Sequence, residues 1–207
     1  LHSFPTRRSS DLQYSGNCTE ATIKIINRFA ESGGYDWCVD DIYFGPINSG
    51  GSHEYVDLGL PSGTLWATCN VGANAPEEYG DYFAWGETTP KDSYYVFTYQ
   101  YCVDNFNTLT KYCSNPESGY NGFTDNLTTL LSEDDAATVN WGNGWRMPTM
   151  EEFQELYNNT TMTWTQQNGV DGRLFTASNG NSLFLPAAGE HGGSILNYAG
   201  SRGYYTS

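Results

Sequence analysis

The sequence predicts an α+β fold in which short strands surround one well-marked helix. Three observations carry this. A Ser/Thr-x-x-Glu capping pattern (Thr149 with Glu152) opens an apolar repeat at Phe153, Leu156 and Tyr157, the spacing of one helical face. The strand-like runs Thr161–Thr165, Gly172–Ala177 and Ser182–Leu185 follow, with Asn168-Gly169, Asp171-Gly172 and Asn179-Gly180 as hairpin dipeptides between them. Polarity comes from Gly, Asn, Ser and Thr, because only 16% of residues are charged, below the usual quarter or so.

The 207 residues carry 24 acidic and 9 basic side chains, a formal net charge of −15. Phosphate backbones and anionic lipid surfaces demand clustered Lys and Arg, so nucleic acid and acidic membranes are poor partners. No stretch approaches the roughly 20 apolar residues of a membrane span. Aromatic content is 15%, with 6 Trp and 16 Tyr, which separates this chain from disordered acidic segments. Such a composition is expected of an extracellular or cell-surface protein.

Residues 1–12 read LHSFPTRRSSDL, and His2–Leu12 resembles the translated product of a common sequencing adapter. They are set aside as an artefact. No initiating Met or signal peptide opens the sequence, and SRGYYTS ends it inside a patterned segment, so an internal piece of a longer protein is expected. Residues 13–47 carry strand signals at Ala21–Asn27 and Asp36–Phe44. Two strands bury no core alone, so these are expected to be the C-terminal strands of a truncated β-sandwich. Residues 48–53 form a linker through Asn-Ser-Gly-Gly-Ser.

The main domain is expected over 54–207. Tyr55–Leu58 and Thr64–Cys69 read as strands around the turn Leu60-Pro61-Ser62-Gly63. Asp81–Trp85 is an apolar aromatic run. Residues 86–133 are long for a structureless connection, with a helical turn expected near Leu109–Cys113. A short helix is expected over Asp134–Val139. Thr149 then caps the main helix, with Glu151 and Glu152 complementing its dipole and Asn158-Asn159 ending it. Pro186–Gly193 reads as a Gly-rich loop, and Tyr204-Tyr205 as the start of another strand.

The five cysteines, Cys18, Cys38, Cys69, Cys102 and Cys113, contain no CxxC pair, which argues against a zinc knuckle. Two disulfides with one free thiol, or five thiols, both fit. Cys102 with Cys113 and Cys18 with Cys38 could each close a short loop.

Five ordered strings carry a family resemblance: YVDLGLPSGTLWATCNVG at 55–72, YGDYFAWGE at 79–87, NWGNGWRMPTMEEF at 140–153, NSLFLPAAG at 181–189 and GSRGYY at 200–205. Together they resemble the Fibrobacter succinogenes major paralogous domain family, found in secreted and surface proteins of gut Bacteroidota. The resemblance spans nearly all of 54–207. It implies a C-type-lectin-like fold, with one or two helices on small antiparallel sheets and a large irregular loop region. It implies no reaction. Trp145-Arg146-Met147-Pro148-Thr149 also resembles an element of sulfatase-modifying-factor domains. Those enzymes use two cysteines late in the domain, and no Cys follows Cys113 here. The lectin calcium signature of Glu-Pro-Asn with Trp-Asn-Asp is absent. DWCVDDIYFGP at 36–46 resembles the closing strand of jelly-roll modules, in which an Asp of the pair Asp40-Asp41 helps bind a structural calcium. No other cofactor is expected.

Functional candidates follow. Trp66, Trp85, Trp141 and Trp145 read as core residues, Arg146 as the partner of a buried carboxylate, and Thr149 as a cap. Tyr94, Tyr95, Tyr99 and Tyr101, if exposed, form the candidate contact patch for a glycan or a surface protein, since Tyr offers large area at low entropic cost; the equal alternative is that they pack the inserted segment onto the core. Glu151, Glu152 and Glu155 read as a solvated helix face rather than glycosidase carboxylates. His191, in a Gly-rich loop, lacks a Cys, Ser or HExxH context for catalysis. Asn17, Asn126, Asn158 and Asn159 head N-glycosylation-type triplets that read as polar surface. The expected function is a non-catalytic binding module, with a structural spacer or a sulfatase-modifying enzyme as alternatives.

Overall fold

The computed structural model describes residues 53–142 and 144–206, and the backbone of Thr6–Arg7. The expected sandwich strands at 13–47, the pair Asp40-Asp41, and Cys18 and Cys38 lie outside the described residues. The chain divides into two compact units, Leu1–Asp11 with His53–Ser207 and Leu12–Ser52, and the described residues belong to the first.

That unit is mixed α+β, with small antiparallel sheets and two α-helices. In chain order its elements are β1 (Thr6–Arg7), β2 (Tyr55–Asp57), β3 (Leu65–Ala67), α1 (Ala136–Trp141), β4 (Trp145–Arg146), α2 (Met150–Asn159), β5 (Thr160–Gln167), β6 (Val170–Ala177), β7 (Ser182–Pro186), β8 (Glu190–Gly192) and β9 (Ile195–Asn197). The sheets run β2-β3-β1-β4, β5-β6-β7 and β8-β9. β1 comes from the stretch read as foreign, yet it pairs antiparallel with both β3 and β4. Strand pairing uses backbone N–H and C=O groups, so it places little demand on sequence.

The core gathers Leu58, Leu60, Trp66, Val71 and Phe83 from the first third of the domain, Ala136, Ala137 and Trp145 from the middle, and Leu156, Phe175, Leu183 and Leu185 from the later helix and sheet. Trp66 is fully buried and its ring meets Phe153 of α2 at 5.3 Å. Trp141 lies against the core and stacks on His53 at 3.7 Å while meeting Trp145 edge-on at 5.3 Å.

Helix α2 begins where its capping box sets it. The Thr149 hydroxyl accepts from the Glu152 N–H at 3.3 Å, and Glu152 accepts from the Thr149 N–H at 2.8 Å. Glu152 is also held in a two-pronged pair with Arg146 of β4 and accepts from the Thr64 hydroxyl at 3.1 Å. Burial works against its charge, but Arg146 and the Thr149 N–H outweigh burial and hold its pKa down. Glu155 accepts from the Ser62 N–H at 2.9 Å. Two of the three helix glutamates thus bind the 60–64 turn instead of forming a solvated face. Tyr157 is 55% exposed, so the buried stripe narrows to Phe153 and Leu156.

Other expectations shift. α1 starts and ends two residues later than expected, because Asp135 is its N-cap, accepting from the Thr138 N–H at 2.9 Å. No helical turn forms at Leu109–Cys113: Tyr112 sits at φ +55°, and Leu109 bridges to Cys102 and Gly119. Asn168-Gly169 makes the β5–β6 hairpin with both residues at positive φ. Asp171-Gly172 is no turn but part of β6. There Gly172 faces the Phe184 ring, and a Cβ would lie 2.4 Å from it, so the glycine serves close approach. Pro186–Gly193 contains β8 rather than a plain loop, and the segment near Tyr204 is held by an isolated bridge between Gly203 and Gly189. Cys102 and Cys113 are free thiols, as is Cys69, whose pKa burial pushes up to about 11. The Cys102 and Cys113 thiols donate to the carbonyls of Asn105 and Asn115 instead of closing a loop.

Thr149→Ala removes one cap bond and should cost about 1 kcal/mol in urea unfolding. Glu152→Gln leaves Arg146 half-buried without its counter-charge and should cost about 3 kcal/mol. A smaller loss for Glu152→Gln than for Thr149→Ala would show that the ion pair adds nothing.

Candidate functional site

Segment 86–133 carries the tyrosine patch anticipated from the sequence, and a single carboxylate organises much of it. Asp134, 5% exposed, accepts from the Tyr101 and Tyr112 hydroxyls and from the Lys111 ammonium. Burial opposes its charge, but Lys111 and the two hydroxyls outweigh burial and keep its pKa below the usual carboxylate range. The same contact, added to burial, raises both phenols, Tyr112 to about 12. Lys111 also lies over the Tyr101 and Tyr112 rings at 5.2 and 5.3 Å. Nearby, Asp125 accepts from the backbone N–H groups of Tyr112 and Cys113 at 2.7 and 2.9 Å, bending the chain where a helix was expected.

Of the four tyrosines taken as exposed, only Tyr95 is so, at 46%. Tyr94, Tyr99 and Tyr101 are half-buried. Tyr94 donates to the Tyr82 carbonyl, Tyr99 to the Trp85 carbonyl at 2.9 Å, and Tyr101 to Asp134. Their hydroxyls are the groups that fasten the segment to the domain. Tyr94, Tyr95 and Tyr99 nevertheless line an open cavity of about 250 Å³ with Trp85, Phe106 and His191. His191 sits between the Tyr82 and Tyr94 rings, at 4.6 and 5.1 Å, and burial lowers its pKa, which favours the neutral ring. Lys91 at the edge of this cavity is engaged by Glu87 at 2.6 Å and by the Thr98 carbonyl at 2.7 Å.

A larger cavity, about 470 Å³, opens on the β5–β6–β7 sheet. The hairpin register puts Trp164 opposite Arg173, and Arg173 opposite Leu185, so one row of the sheet forms its floor. Phe153 of α2, Arg202 and Tyr204 also line it. Trp164 is 48% exposed. The 201–205 segment is fixed by the Gly189 N–H donating to the Arg202 carbonyl at 2.7 Å and by the Tyr205 hydroxyl donating to the Pro186 carbonyl at 2.7 Å. Arg202 donates to the Tyr204 hydroxyl at 3.2 Å and lies over the Tyr198 ring at 4.8 Å. Arg173 reaches only the Met162 sulfur, at 3.8 Å.

Among the described residues, Lys91, Lys111 and Arg146 each sit in an ion pair, whereas Arg173 and Arg202 have no carboxylate partner. Both lone guanidinium groups line the same cavity. Sequence reading missed Trp164, Arg173 and Arg202. The signal available was the two-residue Asn168-Gly169 turn, which fixes Trp164 across from Arg173; nothing comparable ties residue 202 to them.

Trp66 and Trp145 lie in the core, while Trp85 and Trp141 are half-buried at its margin. Arg146 pairs with Glu152, and Thr149 caps α2. No group of three or more His, Cys, Asp or Glu side chains is placed to hold a metal among the described residues, and no helix there is long and apolar enough to cross a membrane. No family model matches the chain, nor does any curated protein or solved structure.

Because the folded-state pKa of Asp134 is depressed, its ionisation stabilises the fold above the unfolded value of about 3.9, and that stability is lost as pH falls through the folded value. Asp134→Asn should therefore lower Tm at pH 7, with the gap to the parent chain narrowing as pH falls below the unfolded value of about 3.9 and towards the lower folded one. A gap independent of pH would place the effect in packing rather than charge.

Proposed function

We propose that residues 54–207 form a non-catalytic, C-type-lectin-like module of a secreted or cell-surface protein, and that its ligand is a glycan seated in the Trp164–Arg173 cavity. The observation that carries this reading is the exposed Trp164 indole in a concave site that also holds unspent hydrogen-bond donors. A pyranose offers just that combination: an apolar C–H face for an aromatic ring, and hydroxyls around its rim. The cavity volume falls within the range of small-molecule sites, roughly 300–1,000 Å³. The smaller tyrosine-lined cavity supports a ligand less well, because its hydroxyls and its ammonium group are engaged within the fold. The five motif strings and the acidic, Lys-poor composition support a surface location.

Trp164→Ala should lower affinity for any glycan that the 207-residue chain selects from an array by about tenfold or more, read by calorimetry. Its exposure means that the variant should keep the parent Tm. A folded chain that selects no glycan would favour the spacer reading.

A further inference from the structure

Resting on that glycan reading, we infer that the cavity selects an acidic saccharide, one whose carboxylate or sulfate is gripped between Arg173 and Arg202 while its ring lies on Trp164. The argument starts from charge. The chain carries 24 acidic against 9 basic residues, so an unpaired cation on its surface is the exception. Five of the basic residues fall in 53–206, and three of these are committed to carboxylates whose side chains are at most 13% exposed. The remaining two come from elements 29 positions apart in sequence and line one cavity.

Both are placed for an incoming anion. A guanidinium has five N–H donors. The Tyr204 hydroxyl takes one from Arg202, and the weakly accepting Met162 sulfur one from Arg173. The Tyr198 ring beneath Arg202 orients the group by cation–π contact without using its donors. Glu190 is near enough to act on Arg202 through charge, yet makes no ion pair with it. A fork of this kind matches the paired oxygens of a carboxylate or sulfate.

Overall negative charge repels anions in bulk, so attraction must be local and must be joined to another contact. Trp164, directly across the hairpin from Arg173, supplies it. This combination favours an anionic group borne on a sugar ring over free phosphate or sulfate, which would gain nothing from the indole.

The test uses the whole chain in calorimetric titrations with oligogalacturonate, its methyl ester, a heparin-derived oligosaccharide, inorganic sulfate and poly-glutamate. The acidic saccharide should bind about tenfold or more tighter than the neutral ester, and its affinity should fall as salt rises from about 50 to 500 mM. Preference between galacturonate and heparin oligosaccharides separates carboxylate from sulfate. Arg173→Gln and Arg202→Gln should each lower affinity for the acidic saccharide more than for the ester, so that the acid-to-ester ratio falls several-fold, and both side chains are exposed, so circular dichroism should show folded variants. Equal affinity for acid and ester, lost in Trp164→Ala, overturns the charge assignment and leaves the glycan reading intact. Absence of binding by every saccharide overturns both. Poly-glutamate or inorganic sulfate binding more tightly than any acidic saccharide assigns the arginines to an acidic peptide or a bare anion and overturns the inference.

Discussion

The contact on which the domain turns is the Arg146–Glu152 pair. Glu152 binds strand β4 through Arg146, its own helix start through the Thr149 N–H, and the 60–64 turn through Thr64. Glu155, three positions after Glu152 and on the same side of the helix, adds a second tie to that turn at Ser62. The helix is thereby fixed against two segments more than 80 residues apart in sequence. No linker separates α2 from β5, because Thr160 is both the helix C-cap and the first residue of the strand. Whatever orients the helix also sets the direction in which the β5–β7 sheet leaves it. Breaking the pair would leave Arg146 half-buried without its counter-charge, which costs more than the pair itself contributes.

The same pattern recurs where the chain is irregular. Lys111 with Asp134 and Lys91 with Glu87 each bring a cation to a carboxylate that is buried in the segment-to-domain seam. Hydroxyl groups of Tyr101 and Tyr112 complete the shell around Asp134, and the Gln100 N–H reaches Glu87 at 2.8 Å. The segment makes turn-type backbone bonds of its own, such as Leu109 N–H to the Ser118 carbonyl and Thr110 N–H to the Tyr101 carbonyl, and side chains satisfy further groups that no ladder reaches. The richness in Tyr, Asn and Asp that marks 86–133 in the sequence adds side-chain bonds to those of the backbone. It is not by itself a ligand surface.

Much of the regular structure was legible because its signals are local. The Thr149–Glu152 capping box and the Asn168-Gly169 turn each specify geometry within a few residues, and both elements begin where those residues put them. The failures have a common cause in tertiary contacts. Asp171-Gly172 has the composition of a turn, but the Phe184 ring needs a residue without a Cβ at 172, and the strand runs through. Tyr157 has the right spacing for the core and faces solvent, while Phe153 and Leu156 make the contact. The tyrosines at 94, 99 and 101 were read as exposed because nothing in their spacing reveals Asp134 or the carbonyls of Tyr82 and Trp85. Arg202 joins Trp164 and Arg173 only through the turn that returns the chain to Gly189.

The position of the larger cavity follows from a mismatch of lengths. Helix α2 has 10 residues and spans about 15 Å at its rise of roughly 1.5 Å per residue. Strands β5 and β6 have 8 residues each and reach about 26 Å at roughly 3.3 Å per residue. A helix that short cannot cover the whole inward face of the hairpin. In the row Met162, Phe175, Leu183, Phe175 and Leu183 belong to the core and Met162 packs against it. One pleat further along, in the row Trp164, Arg173, Leu185, Leu185 stays buried while Trp164 and Arg173 are exposed. An uncovered sheet face would ordinarily be dressed in short polar residues. Here it carries an indole and a guanidinium without a counter-charge, walled by a second such guanidinium at 202. In the proposed complex the acidic saccharide would supply the counter-charge that no described residue gives Arg173 or Arg202.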